Sequence, residues 1–329
     1  MRLLFIITDF NKINRLQSEL VNALLRFDHE KIYATVGYHG GSHQDEVYWF
    51  EDLGFWFLPV ELDNRYWNAF GTEKPIVGAN LAITCEINFP FAGINRQIAG
   101  AFVQDEASVF IVHRGKIGGS QKGGGKKLFL NHFRGEWIEV YDDGLATNVA
   151  LVGSLTSAMF GYQLREFVTE VKRIKNTLQE PAPTAIEAAT IKDDFKEEFF
   201  GAKSYEMRNI IEAKCNHGLV VSHLAKYLTD RGFCVSNDMH RDLFILNEQS
   251  QVKAVFEVKT DSGRDSLYAG VGQLLLNSNQ LRNVPSFVLV LPQQPALHFG
   301  GRINQLGLQI VTYKWIKEKY QFDFNKCSI

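Results

Sequence analysis

Between Gln179 and Phe200 the hydrophobic patterning of the chain breaks off. The stretch QEPAPTAIEAATIKDDFKEEFF holds Pro181, Pro183, a scatter of alanines, and 6 acids against 2 bases. That composition reads as a linker, although from Thr190 onward it equally suits an exposed helix. It divides 329 residues, long for one domain and comfortable for two, into segments 1–178 and 201–329.

The first segment starts as strand then helix. Leu3–Ile7 is a short apolar run, and Leu16, Leu20 and Leu24 then recur at helical spacing. From about residue 31 to 155 the pattern is β-rich, with strands expected at KIYATVGY, FWFLPVEL, NLAITCEINF, SVFIVHRG, EWIEVY and NVALVGSL. A second amphipathic helix places Leu164, Phe167, Val168, Val171 and Ile174 on one face. The class expected for 1–178 is β-rich α+β. Its aromatic residues include Tyr48, Trp49, Phe50, Phe55, Trp56, Phe57, Tyr66, Trp67 and Trp137. Most suit a core; some could stack on a base or a small ligand.

The second segment has a different rhythm. GLVVSHLAKYLTDRG is an amphipathic helix carrying Val220, Leu224 and Leu228, closed by Gly232. The strands DLFIL and KAVFEVK follow, joined by NEQSQ. Then come the helix LYAGVGQLLLNSNQL, the strand SFVLVLP, a short helix near FGGRINQLG and the strand LQIVTYKW. The order α-β-β-α-β-α-β predicts a mixed sheet flanked by helices.

Net charge is −2, so no global basic signal marks a nucleic-acid binder. Charge is uneven, however: residues 201–329 hold 15 Lys and Arg against 11 Asp and Glu. Cys85, Cys215, Cys234 and Cys327 form no CxxC pair, which favours a reducing, cytoplasmic setting over a disulfide framework or structural zinc. The run Leu3–Ile7 is too short for a signal-peptide core, and no run approaches a membrane span.

The hairpin RDLFILNEQSQVKAVFEVKT, residues 241–260, carries the chemistry. Strand side chains alternate faces, so Glu257 and Lys259 share one side while Ala254, Phe256 and Val258 share the other. The hairpin can bring Asp242 beside Glu257. Two carboxylates and a lysine then converge at one edge of the sheet. Leaving them unpaired there is costly. A divalent cation resolves this, and oxygen ligands suit Mg²⁺. Lys259 then stands where it can orient or activate a water or offset phosphate charge.

The elements RDLFIL…FEVKT, preceded by an amphipathic helix and followed by GVGQLLL, resemble the PD-(D/E)XK nuclease superfamily over 201–329. Asp242 matches its first acid, and Glu257 and Lys259 its E-x-K half. Arg241 stands where the motif name has proline. Gln273 resembles the glutamine that some branches place near metal and scissile phosphate; a solvated helix face is the alternative. The resemblance implies a restriction-endonuclease-like fold and Mg²⁺-dependent phosphodiester hydrolysis, with Mn²⁺ substituting. It also implies metal held by Asp242, Glu257 and the Val258 carbonyl, DNA as substrate, and a homodimer. The first-helix acid of many members has no clear match here: His217, also a candidate nucleic-acid contact, stands at the helix start and Glu212 a turn or more earlier.

One further stretch stands out. VHRGKIGGSQKGGGKKLFLNHFRG, 112–135, holds Arg114, Lys116, Lys122, Lys126, Lys127 and Arg134 without an acid. Flexible backbone and cations suit phosphate contacts, and a long solvated hairpin loop is the plain alternative. It lacks the spacing of a P-loop. Together these features predict a DNA endonuclease of restriction or defence type, whose first segment recognises the target or senses a small molecule or a modified base. The rival is a non-catalytic nucleic-acid- or ligand-binding regulator on a nuclease-like scaffold.

Overall fold

The computed structural model describes residues 4–38, 41–105, 108–118, 125–177, 204–238, 241–277, 284–293, 300–316, 319–325, 327 and 329. The chain forms two compact units, Met1–Cys215 and Asn216–Ile329. The expected linker, 179–200, lies outside the described residues, and the division falls within a helix, Ser204–Thr229.

Among its described residues the N-terminal unit is a mixed assembly of two sheets, three helices and the first part of a fourth. In chain order it runs β1 (Leu4–Ile6), α1 (Phe10–Leu24), β2 (Glu30–Tyr38), β3 (Gly41–Phe50), β4 (Phe55–Leu62), β5 (Arg65–Gly71), β6 (Asn80–Leu81), β7 (Cys85–Glu86), β8 (Phe89–Pro90), β9 (Gly100–Gln104), β10 (Val109–His113), α2 (Lys126–His132), β11 (Trp137–Asp142), β12 (Leu145–Ser154) and α3 (Phe160–Asn176). Asp9 starts α1, its carboxylate accepting from the Lys12 N–H at 2.8 Å. Strands β1, β11, β12, β10 and β9 close into a barrel. Alternate residues fill its interior: Leu4, Ile6, Ala101, Val103, Phe110, Val112, Ile138, Val140, Val149 and Leu151.

Strands β6, β2, β3, β4, β5 and β7 make the second sheet, with β8 paired to β5. One face gathers Ala34, Val36, Val47, Trp49, Trp56, Leu58, Trp67 and Ala69. Of the conspicuous aromatics, Trp49, Phe50, Phe55, Trp56, Phe57, Tyr66 and Trp67 are buried, and Tyr48 and Trp137 are partly so. The expected strand at NLAITCEINF is three short pairings instead, β6, β7 and β8. The 112–135 stretch is not simply a loop: β10 ends at His113, and Lys126–His132 coil into α2.

The C-terminal unit is a layered mixed α/β structure. It contains α4 (Ser204–Thr229, entering from the first unit), β13 (Cys234–Ser236), β14 (Leu243–Leu246), β15 (Val252–Val258), α5 (Arg264–Asn277), β16 (Ser286–Pro292), α6 (Gly300–Gln305), β17 (Leu308–Ile316) and β18 (Lys319–Asp323). The expected order holds, with β13 and β18 added at the two edges of a sheet ordered β13-β14-β15-β16-β17-β18. Pairs β15–β16 and β16–β17 are parallel and the others antiparallel.

Each face of this sheet has its own core. Val220, Leu224 and Leu228 of α4 pack on Ala254, Phe256, Val258, Val288 and Val290. Leu267 and Leu274 of α5 and Ile303 of α6 pack with Val255, Leu289 and Leu291 on the other side. Central strands covered on both faces read as near-continuous apolar runs, which explains SFVLVL and KAVF. Gly232 adopts φ +85°, and the Phe233 N–H returns to the Leu228 carbonyl, closing α4. Among the described residues no helix is long and apolar enough to cross a membrane.

Candidate functional site

Strand pairing places the acids. In the β14–β15 hairpin Leu243 lies opposite Phe256. Continuing that antiparallel register one step sets Asp242 opposite Glu257. Asp242 lies just before β14, and its Oδ2 accepts the Val258 N–H at 2.8 Å. It also accepts from His217 Nε2, on α4, at 3.1 Å. Three separate elements thus meet at one carboxylate.

Glu257 and Lys259 share a face, as strand alternation requires. Lys259 Nζ donates to Glu257 Oε1 at 2.7 Å and to Gln273 Oε1, on α5, at 2.6 Å. Glu257 is only 3% exposed. The lysine's backbone is fixed as well: its N–H bonds the Val290 carbonyl and its carbonyl accepts from Tyr313 Oη at 3.0 Å. Beyond it, Asp261 receives the Gly263 N–H and the Ser266 hydroxyl, so the TDSGRDS stretch enters α5 through an ordered turn.

Sequence reasoning passed over Gly270. A Cβ on this α5 residue would stand 2.6 Å from Leu289 Cδ1 and 3.2 Å from Lys259 Cε. The bare backbone therefore lets α5 approach β15 closely enough for Gln273 to hold Lys259. A glycine inside a helical pattern was the available signal.

Electrostatics separate the two acids. Burial drives Glu257 up, the nearby Asp242 carboxylate adds to it, and Lys259 only partly opposes them, leaving a pKa of about 7. For Asp242 burial also acts upward. His217, the Val258 N–H and Lys259 together outweigh it and hold this carboxyl below its ordinary value.

The donor set of Asp242, Glu257 and the Val258 carbonyl consists of hard oxygens and fits Mg²⁺ or Mn²⁺ in kind. Val258 presents its N–H to Asp242, and a strand residue points its carbonyl to the same side as its N–H. Among the described residues no three His, Cys, Asp and Glu side chains gather at ligand spacing. A cation here would be held by two carboxylates, one carbonyl and water.

The basic residues of 112–135 do not act as one set. Arg114 is a correction: it is 8% exposed, reaches the Ile98 and Gly100 carbonyls at 3.2 Å each, and pairs with Asp142. Its charge belongs to the interior and is removed from phosphate contact. Lys116 is exposed and bonds Gln97. Lys126 and Lys127 are exposed in the first turn of α2. Lys122 and the Glu212 side chain lie outside the described residues.

No protein-family model, no curated protein and no solved structure matches this chain.

Proposed function

We propose that this chain is a divalent-metal-dependent endonuclease of PD-(D/E)XK type that hydrolyses DNA phosphodiester bonds. The observation that carries the reading is the convergence of Asp242, Glu257 and Lys259 at the paired ends of β14 and β15, with Gln273 on the lysine. An acid pair this close, one member raised to about 7 by burial and by the other, is costly as structure. It is well matched to a positive ion.

A bound Mg²⁺, or Mn²⁺ in its place, supplies charge stabilisation at phosphorus and an activated water. The chain's own groups do the remainder. Asp242 and Glu257 would hold the ion, and Glu257 Oε1 with Gln273 Oε1 aims the Lys259 ammonium. Lys259 in turn orients the water or offsets charge on the phosphoryl oxygens. Water adds to phosphorus, the P–O3′ bond breaks, and the products are a 5′-phosphate and a 3′-hydroxyl. Two such sites acting on a duplex favour a homodimer. The N-terminal unit would supply recognition or activation through a modified base or small ligand, in a restriction or defence role. Lys116, Lys122, Lys126 and Lys127 would contribute sequence-independent phosphate contacts.

One observation favours a second reading, a nucleic-acid- or ligand-binding regulator. Lys259 is already satisfied by Glu257 and Gln273, and no three-residue ligand group is gathered among the described residues. The deciding experiment incubates purified protein with plasmid and with methylated genomic DNA, in Mg²⁺, Mn²⁺ or EDTA. Metal-dependent cutting that falls by at least about 100-fold in Asp242→Ala and Glu257→Ala, with unchanged circular dichroism, supports the nuclease. DNA binding without cutting in any metal supports the regulator.

A further inference from the structure

His217 offers two chemical roles, ligand or support, and the geometry separates them. Its Nε2 is directed at Asp242 Oδ2, 3.1 Å away, rather than at an open position between the acids. The Val258 N–H meets that same oxygen at 2.8 Å. Two donors, one from α4 and one from β15, thus converge on a single carboxylate oxygen. Both side chains are largely withdrawn from solvent, His217 at 23% and Asp242 at 19% exposure.

A carboxylate held this way cannot chelate through both oxygens without surrendering a hydrogen bond. Ca²⁺ takes six to eight oxygens in loose geometry and readily accepts a bidentate carboxylate. Mg²⁺ demands six in near-octahedral array and keeps its waters. The choice between them is set by ligand number and rigidity, both of which the Oδ2 contacts govern.

We propose that His217 is a positioning residue that, with the Val258 N–H, occupies Asp242 Oδ2, leaves Oδ1 as the one metal-binding oxygen, and thereby selects Mg²⁺ and Mn²⁺ over Ca²⁺. The inference rests on the nuclease reading only in taking Asp242 as a ligand. It assigns His217 to the support of the metal, where the sequence suggested nucleic-acid contact. Outer hydrogen-bond partners of ligating carboxylates typically contribute 10- to 100-fold in metal affinity.

The test measures metal binding without DNA, so it is independent of cleavage. Mn²⁺ affinity is read by calorimetry and by the electron paramagnetic resonance of free Mn²⁺, with Mg²⁺ and Ca²⁺ as competitors. The proteins are wild type, His217→Ala, His217→Gln and His217→Asn. Glutamine can place its amide nitrogen where Nε2 stands; asparagine reaches only as far as Nδ1. The expected result is about 10- to 100-fold weaker Mn²⁺ binding in the alanine and asparagine variants, a lower Mg²⁺ to Ca²⁺ preference in both, and recovery in the glutamine variant. Unchanged affinity and preference in His217→Ala overturns the inference and leaves the metal site standing. If alanine at 217 prevents folding, the glutamine–asparagine contrast decides, and equal behaviour of those two overturns the inference. Wild-type protein that takes up no Mn²⁺ overturns the metal reading as well.

Discussion

The two units bury polar groups in opposite ways. In the N-terminal unit, Gln17 and Asn68 exchange both amide hydrogen bonds, at 2.8 and 3.0 Å. His113 lies among Phe129 and Phe167, takes the Gly115 N–H on Nδ1 at 3.1 Å and turns Nε2 to the Glu86 carbonyl. That pattern fixes a neutral ring with its proton on Nε2. Burial holds its pKa down at about 4. In the C-terminal unit, Glu257 is buried with a second carboxylate at hand and rises to about 7. The first arrangement resolves polarity within the fold. The second sets two carboxylates side by side with Lys259 and His217 offsetting them only in part, and perturbed groups of that kind are commoner at functional sites than elsewhere.

The largest effect tests that contrast at the lysine. Lys259→Ala should lower cleavage by about 100- to 1,000-fold while changing Mn²⁺ affinity, read by calorimetry, far less. Equal loss of both would make Lys259 a structural partner of Glu257, like the satisfied pairs of the first unit.

A middle-sized effect comes from acidity, and the units should answer it in opposite directions. Glu257 has a folded pKa above its unfolded value, so the folded state holds the proton longer. Stability of the metal-free C-terminal unit should therefore fall as pH rises from about 4.5 to about 7, on the order of 3 kcal/mol in all. Glu257→Gln should remove that slope. His113 has a folded pKa below its unfolded value, so the unfolded state takes the proton first. The N-terminal unit should lose a similar amount as pH falls from 6.5 to about 4, and His113→Gln should flatten that loss. Four of the five tryptophans, Trp49, Trp56, Trp67 and Trp137, lie in the N-terminal unit, so in a Trp315→Phe background denaturant titration by tryptophan fluorescence follows it. Hydrogen exchange of β15 amides follows the other. Slopes of the same sign would break the comparison.

The smallest effect asks whether the first unit touches DNA at all. Neutralising Lys122, Lys126 and Lys127 together should flatten the plot of log affinity against log salt by about 0.9 for each phosphate no longer neutralised. An unchanged slope would return these lysines to a solvated surface.

The hairpin and its acids were legible because strand alternation and register are local rules. From Asp242 to Glu257 the chain is one turn and two strands, and pairing follows directly from the apolar runs. β3 was not legible. Six residues of GSHQDEVYWF are polar or glycine, yet the strand pairs with β2 from Trp49 to Gly41, with Lys31 and Glu46 3.3 Å apart across it. Its stability comes from a neighbour rather than from its own pattern. The burial of Arg114 was equally hidden, since Asp142 lies far along the chain and only the barrel brings them together. In the site, Asp242, Glu257 and Lys259 were readable, whereas Tyr313, Gly270 and the direction of His217 depend on packing between elements that sequence spacing does not set.

Gly270 carries a consequence for how such a chain can vary. It offers no side chain and touches no reacting group, yet its missing Cβ sets the distance between α5 and Lys259. Alanine there would push on the Leu289 methyl and on the stem of Lys259, the side chain whose ammonium Gln273 holds. A change at position 270 would thus be felt through the lysine, so the setting of that ammonium depends on a place kept free of atoms as well as on the donors and acceptors around it.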